Sequence, residues 1–221
     1  FRILKGYRRR FLGLILTMEL EENIKLYLPQ YLSEDKLTSL KKELKNFGNG
    51  CDSGKYFTTI LNSAPNLFQG DCVKAQVWNL PNIETREENV ILLSNTCDMD
   101  ISNQRLNSCR VMYAPILNLK KYHKNLIERG FEKNKIDNHI KDIKNQLVSQ
   151  ILYLPTKSIL GYDSFVLFDR TISIPLTRKI VENCTKTRKV SLSNYGFYLF
   201  LLKLSYHFTR IQEHVDRDAK I

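Results

Sequence analysis

The hydrophobic period of this chain switches back and forth between helical and strand-like, and that alternation restricts it to α+β folds. Near the start, Ser33 with Glu34 and Asp35 reads as an N-cap. Leu37, Leu40, Leu44 and Phe47 follow at helical spacing, and Gly48-Asn49-Gly50 ends the helix. From Gly70-Asp71 the pattern becomes strand-like through Cys72, Val73, Ala75, Val77 and Trp78. Val90-Ile91-Leu92-Leu93 is a continuous apolar run, read as a strand buried on both faces, and Arg110 to Ile116 is another strand. Helical spacing returns at Leu119, Tyr122, Leu126 and Ile127, breaks at Gly130, and resumes through Ile136, Ile140, Ile143, Leu147 and Ile151. Strands are expected again at Ile151–Leu154, Ser164–Phe168 and Thr171–Ile174, then a long helix over about 195–216. The organisation expected is an N-terminal segment and helix over 1–50, and a main domain over 51–221 with a helical insertion at about 118–150.

Charge narrows the function. Thirty-four Lys and Arg face twenty-three Asp and Glu, a formal net charge of +11, and a field of that sign attracts polyanions. The excess is uneven. Residues 71–117 hold four basic side chains against six acidic ones, whereas Arg170 to Lys189 is strongly basic. Segregation favours a directed cationic surface over general solubility. With 43% apolar residues, disorder and low complexity are excluded.

Cys51, Cys72, Cys97, Cys109 and Cys184 form an odd set without a CxxC pair, which argues for reduced thiols in a cytoplasm and against a disulfide framework or a zinc ribbon. The apolar run Phe11 to Leu20 is short of the ~20 residues of a membrane span. Residues 1–17 carry no cap or stripe, and the expectation is that they add nothing to the fold. No cofactor, metal or membrane partner is expected. Walker, GxGxxG, HExxH and GxSxG motifs are absent.

Four strand blocks stand in a suggestive order: Gly70-Asp71-Cys72-Val73, Val90-Ile91-Leu92-Leu93-Ser94, Val111-Met112-Tyr113-Ala114-Pro115-Ile116, and Asp163-Ser164-Phe165-Val166-Leu167-Phe168-Asp169. This order resembles the PemK/MazF family, small SH3-like barrels in which such a fourth strand leads into a basic segment and a C-terminal helix. The resemblance implies a small closed or nearly closed β-barrel carrying an N-terminal helix, an inserted helical pair and a long C-terminal helix. It also implies an intracellular toxin that cleaves RNA and is held by an antitoxin, in growth control or phage defence. Two positions depart from the family. Glu88-Asn89 stand where an Arg precedes the buried second strand, and Leu117 stands where Thr follows Pro-Ile.

The candidate catalytic set is Arg86, Asp98, His207 and Arg210, with Cys97 as a thiol nucleophile in a rival hydrolase reading. On the last helix, Lys203, His207, Arg210, His214 and Arg217 form a cationic flank beside an apolar face, a stripe suited to a phosphate backbone. Arg178, Lys179 and Arg188 are further candidate nucleic-acid contacts. Expected partners are RNA ahead of DNA, an antitoxin or other protein, and a second copy in a homodimer. The third reading is a catalytically silent barrel that binds or senses nucleic acid or protein.

Overall fold

The computed structural model describes residues 56–79, 84–103, 105–155 and 160–209. The expected N-terminal helix lies outside them, as do Arg210, His214 and Arg217. Eight strands are described: β1 (Phe57–Thr58), β2 (Cys72–Asn79), β3 (Glu84–Leu92), β4 (Arg110–Asn118), β5 (Ile151–Leu154), β6 (Ser164–Leu167), β7 (Ile172–Pro175) and β8 (Ser191–Leu192). Helices α1 (Leu119–Glu128) and α2 (Lys133–Lys144) separate β4 from β5, α3 (Arg178–Thr187) follows β7, and α4 (Asn194–Thr209) follows β8. The protein is α+β.

One six-stranded antiparallel sheet runs β2-β3-β4-β6-β5, with β7 also on β4. β4 organises it. Its first half pairs with β7 (Val111↔Ile174), its middle with β3 (Ile91↔Ala114), and its end with β6 (Leu117↔Phe165). The four resembled blocks are therefore successive neighbours in one sheet. A 3-10 turn at Phe168–Arg170 interrupts what would otherwise be one continuous strand from β6 to β7.

Alternation along the strands divides the core. On one face Cys72, Ile91, Leu93, Ala114, Ile116, Leu152 and Val166 pack with Phe168 and the α4 residues Tyr195, Leu199 and Phe200. On the other face Val73, Val90, Leu92, Val111 and Tyr113 pack with Cys184, Ile180 and Val181 of α3. Further along that second face, Phe165, Ile151 and Tyr153 pack with Leu119, Tyr122 and Ile143 of α1 and α2. The sheet thus lies between a layer of α1, α2 and α3 and the single helix α4.

No closed barrel forms, which corrects the sequence expectation. Among the described residues no ladder joins β5 to the small β1-β8 sheet, and α4 packs against both β5 and β8 instead. The open side of β5 is satisfied by a side chain. Gln146 accepts from Tyr153 N–H at 3.0 Å and donates to Tyr153 C=O at 2.7 Å, so its amide stands in for a neighbouring strand. Gln146 itself has φ 59°, and this left-handed turn ends α2 short of the expected run to Ile151.

Caps account for the helix starts. Asn118 accepts from Lys121 N–H at 2.9 Å, Thr177 from Ile180 N–H at 3.3 Å, and Ser193 from Gly196 N–H at 3.1 Å. Two glycines are required. Gly70 has φ +89°, and a Cβ at Gly196 would stand 2.2 Å from the Tyr56 carbonyl oxygen. α4 therefore lies directly on the backbone at Tyr56.

Candidate nucleic-acid interface

Two cations expected to meet phosphate are buried and bonded inside the fold. Arg188 sits between α3 and β8, with its side chain fully buried and its Nε 2.8 Å from Oδ2 of the equally buried Asp71. Its remaining nitrogens donate to the carbonyls of Leu61, Ala64 and Asn66, and the guanidinium lies 5.5 Å over the Phe68 ring. Asp71 also accepts from Phe68 N–H and from the Ser191 hydroxyl. Burial pushes the Asp71 carboxyl up from its ordinary value, against the opposing pull of Ser191, Phe68 and Arg188. Arg188 is a clamp on the 61–71 loop, not a phosphate ligand.

Lys203 is the second correction. It is 1% exposed, and its Nζ donates to the carbonyls of Gln146, at 2.9 Å, and Val148. Both carbonyls lie in the link just after α2, and the Val148 C=O also accepts from Ile151 N–H at 3.1 Å. The flank of α4 that a helical projection makes cationic is turned inward at this position because α4 fills the gap between β5 and β8.

The expected catalytic groups are dispersed. Arg86 lies on exposed β3, its Nε 3.0 Å from Glu88 Oε1. Asp98 ends the 3-10 turn after β3 and pairs with Arg105 at 2.7 Å, not with His207. Met99, the next residue, is buried in the cluster under α3. The His207 ring instead lies 5.7 Å from Phe168, which belongs to the cluster on the opposite face of the sheet. Cys97 is exposed, and its carbonyl accepts from Asn103 and Arg105. Cys72 and Cys184 are buried, and desolvation lifts both thiols, Cys184 to about 11. Among the described residues no three His, Cys, Asp or Glu side chains could hold a metal ion, and no helix is long and apolar enough to cross a membrane.

Among the described helices the positive charge lies on the other side of the sheet from α4. α1, α2 and α3 together carry ten Lys and Arg against four Asp and Glu, whereas α4 carries only the buried Lys203. Lys124, Lys135 and Lys144 are committed to Glu128, Glu132 and Asp163. Lys120, Lys121, Lys133 and Lys141 are exposed on α1 and α2 and have no acidic partner among the described residues. Arg178, Lys179 and Lys186 are likewise exposed on α3, so the expected contacts Arg178 and Lys179 stand at the surface. At the α1–α2 turn, Arg129 lies 5.4 Å over the half-exposed ring of Phe131, beside exposed Ile127. The lysines of α1 and α2 were missed because the sequence reading followed their apolar stripe. A charge count per helix would have found them.

The chain matches no family model, and no curated protein sequence is similar enough to count as a relative.

Proposed function

We propose that this protein binds nucleic acid, RNA ahead of DNA, through the cationic layer of α1, α2 and α3, on a divergent PemK/MazF-like scaffold. The observation that carries the reading is the ten cations against four anions on the three helices that cover one side of the sheet, seven of those cations exposed and without an acidic partner among the described residues. Phosphate recognition needs such spread charge, not convergence on one atom. The preference for RNA, and for an antitoxin as partner, rests on the resemblance, which gains support from the adjacency of its four blocks in one antiparallel sheet. Binding is preferred to cleavage because Asp98 pairs with Arg105 while the His207 ring packs with Phe168. Described cysteines that are all free suit a reducing cytoplasm.

The test is fluorescence anisotropy with a mixed-sequence single-stranded RNA across a salt series. Affinity should fall with salt, with a log–log slope of about −0.7 for each phosphate contacted. Mapping the RNA ends in the same samples reports cleavage. Absence of binding at low salt removes nucleic acid from the reading.

A further inference from the structure

The two outer edges of the β2-β3 ribbon are treated differently. Along β2 the outward main-chain groups of Cys72 and Lys74 and the Gln76 C=O are occupied. Cys72 N–H donates to Val190 C=O at 2.8 Å, Lys74 N–H to the Thr187 hydroxyl, Asn183 to Lys74 C=O, and the Tyr113 hydroxyl to Gln76 C=O. Along β3 they are open. β3 pairs with β4 only at Val90, Ile91 and Leu92, and the two strands part beyond this short ladder. Leu92 directs its N–H to Asp71 on the β2 side, while Leu93 directs its own to Met112 of β4. Alternation back along the strand points the N–H and C=O of Thr85, Glu87 and Asn89 away from β2. Among the described residues nothing pairs with those of Thr85 and Glu87 or with the Asn89 N–H, whereas the Asn89 C=O accepts from Ile116 N–H as the last bond of the β3–β4 ladder. A second sign of incompleteness lies at the base of this edge. Asn89 donates to the Tyr162 hydroxyl at 3.4 Å, but its Oδ1 is buried with no hydrogen-bond partner.

An open edge of this kind is a template for another strand. Its charge identifies the strand. In a chain of net charge +11, the segment Glu84-Thr85-Arg86-Glu87-Glu88 is acidic; Arg86 is held by Glu88 and Lys74 of β2 reaches Glu87 at 3.4 Å, which leaves Glu84 as its acid without a cation among the described residues. We infer that the β3 edge over Thr85–Asn89 is a strand-addition site for an extended, Lys-bearing segment of a protein partner. The partner's main chain pairs with Thr85, Glu87 and the Asn89 N–H, and a donor from it reaches Asn89 Oδ1. Its cations lie beside Glu84 and compete with Lys74 for Glu87, and these acids set specificity by charge complementarity. The site is independent of the cationic layer, so it stands or falls apart from nucleic-acid binding.

The experiment is amide hydrogen exchange followed by NMR, with and without a synthetic heptapeptide alternating Val and Lys. Expected are rapid exchange at Thr85, Glu87 and Asn89 in the free protein, slow exchange at Arg86 and Glu88, and at least tenfold slowing of the first three with peptide. Glu87→Pro removes an outward N–H that the fold does not use. It should lower peptide affinity at least tenfold with an unchanged melting temperature, and Glu84→Lys should also weaken binding. A peptide with Glu in place of Lys should leave exchange unaltered. The inference is overturned if Thr85, Glu87 and Asn89 are already protected in the free protein. It is equally overturned if the Glu peptide binds as well as the Lys peptide, or if protection follows protein concentration alone, which would make a second copy the occupant.

Discussion

Two sets of cations in this molecule look alike in sequence and do opposite work. Arg188 and Lys203 sit in or beside basic, helical stretches, yet both are buried and spend their donors on main-chain carbonyls. Lys120, Lys121, Lys133, Lys141, Arg178 and Lys179 lie on helices of the same general composition and remain at the surface. The difference is the circumference each helix exposes. α1, α2 and α3 cover one face of the sheet and keep a solvated back. α4 occupies the gap between β5 and β8, so a side chain outside its main apolar face can still meet protein. A cationic flank on a helical projection is a surface only if that flank faces water.

The sharpest way to break this division is to remove the buried set. Arg188→Ala leaves the buried Asp71 carboxylate without its counter-charge and strips donors from three carbonyls. Breaking a buried pair in this way costs about 3–5 kcal/mol. Urea denaturation followed by circular dichroism measures it. A loss under 1 kcal/mol would mean that Arg188 is not the clamp described. Replacing Asp71 and Arg188 together by apolar residues should recover part of the loss, because neither leaves an unpaired charge behind.

Lys203→Met comes next. It keeps the apolar stem while removing the ammonium from the Gln146 and Val148 carbonyls. Hydrogen bonds to a charged group contribute about 1.5–3 kcal/mol, so a destabilisation of that size is expected. RNA affinity of the folded variant should stay within twofold of the parent. A large loss of affinity at full folding would return α4 to the interface.

The same packing can be read without mutation. At pH 8 a thiol reagent should label exposed Cys97 at once, whereas Cys72 and Cys184, raised by burial, should react only on unfolding. Prompt labelling of Cys184 would show α3 lifted from the sheet.

How much of this was readable beforehand depends on whether the cause was local. β4, β5, β6 and the α1–α2 pair were recognised because alternation, continuous apolar runs and the Gly130 break sit within each segment. The far half of β3 was not recognised. Glu84 to Glu87 are exposed on both faces, and only the register with β2 makes them a strand. α3 falls in the stretch read only as basic, although Thr177 as a cap and Ile180, Val181 and Cys184 facing the core are its local signature. The burial of Arg188 was out of reach, since its partner Asp71 is distant in sequence and only the fold joins them. Closure failed as an expectation for a related reason. The strand order says nothing of a helix and one glutamine amide taking the place of the final ladder.

The smallest effect on stability should accompany a clear effect on binding, and it comes from the exposed set. Lys120 and Lys121 open α1, with no acidic partner among the described residues. Neutralising them as Lys120→Gln with Lys121→Gln removes two positive charges from the start of a helix, where the peptide dipole disfavours cations. The fold should therefore hold its stability within about 0.5 kcal/mol, or gain slightly, as surface substitutions do. Nucleic-acid binding responds in the other direction. If both lysines neutralise phosphates, the log–log salt slope should flatten by about 1.4 for single-stranded RNA, and low-salt affinity should fall across sequences alike. The paired lysines provide the internal contrast. Lys124→Gln and Lys135→Gln each break an exposed ion pair with Glu128 or Glu132, so they should shift the slope less than the unpaired residues. An unchanged slope in the Lys120/Lys121 variant would exclude this end of α1 and leave the interface to α2 and α3. A slope lost equally in both pairs of variants would mean that only net charge matters and that no particular face of the layer meets the RNA.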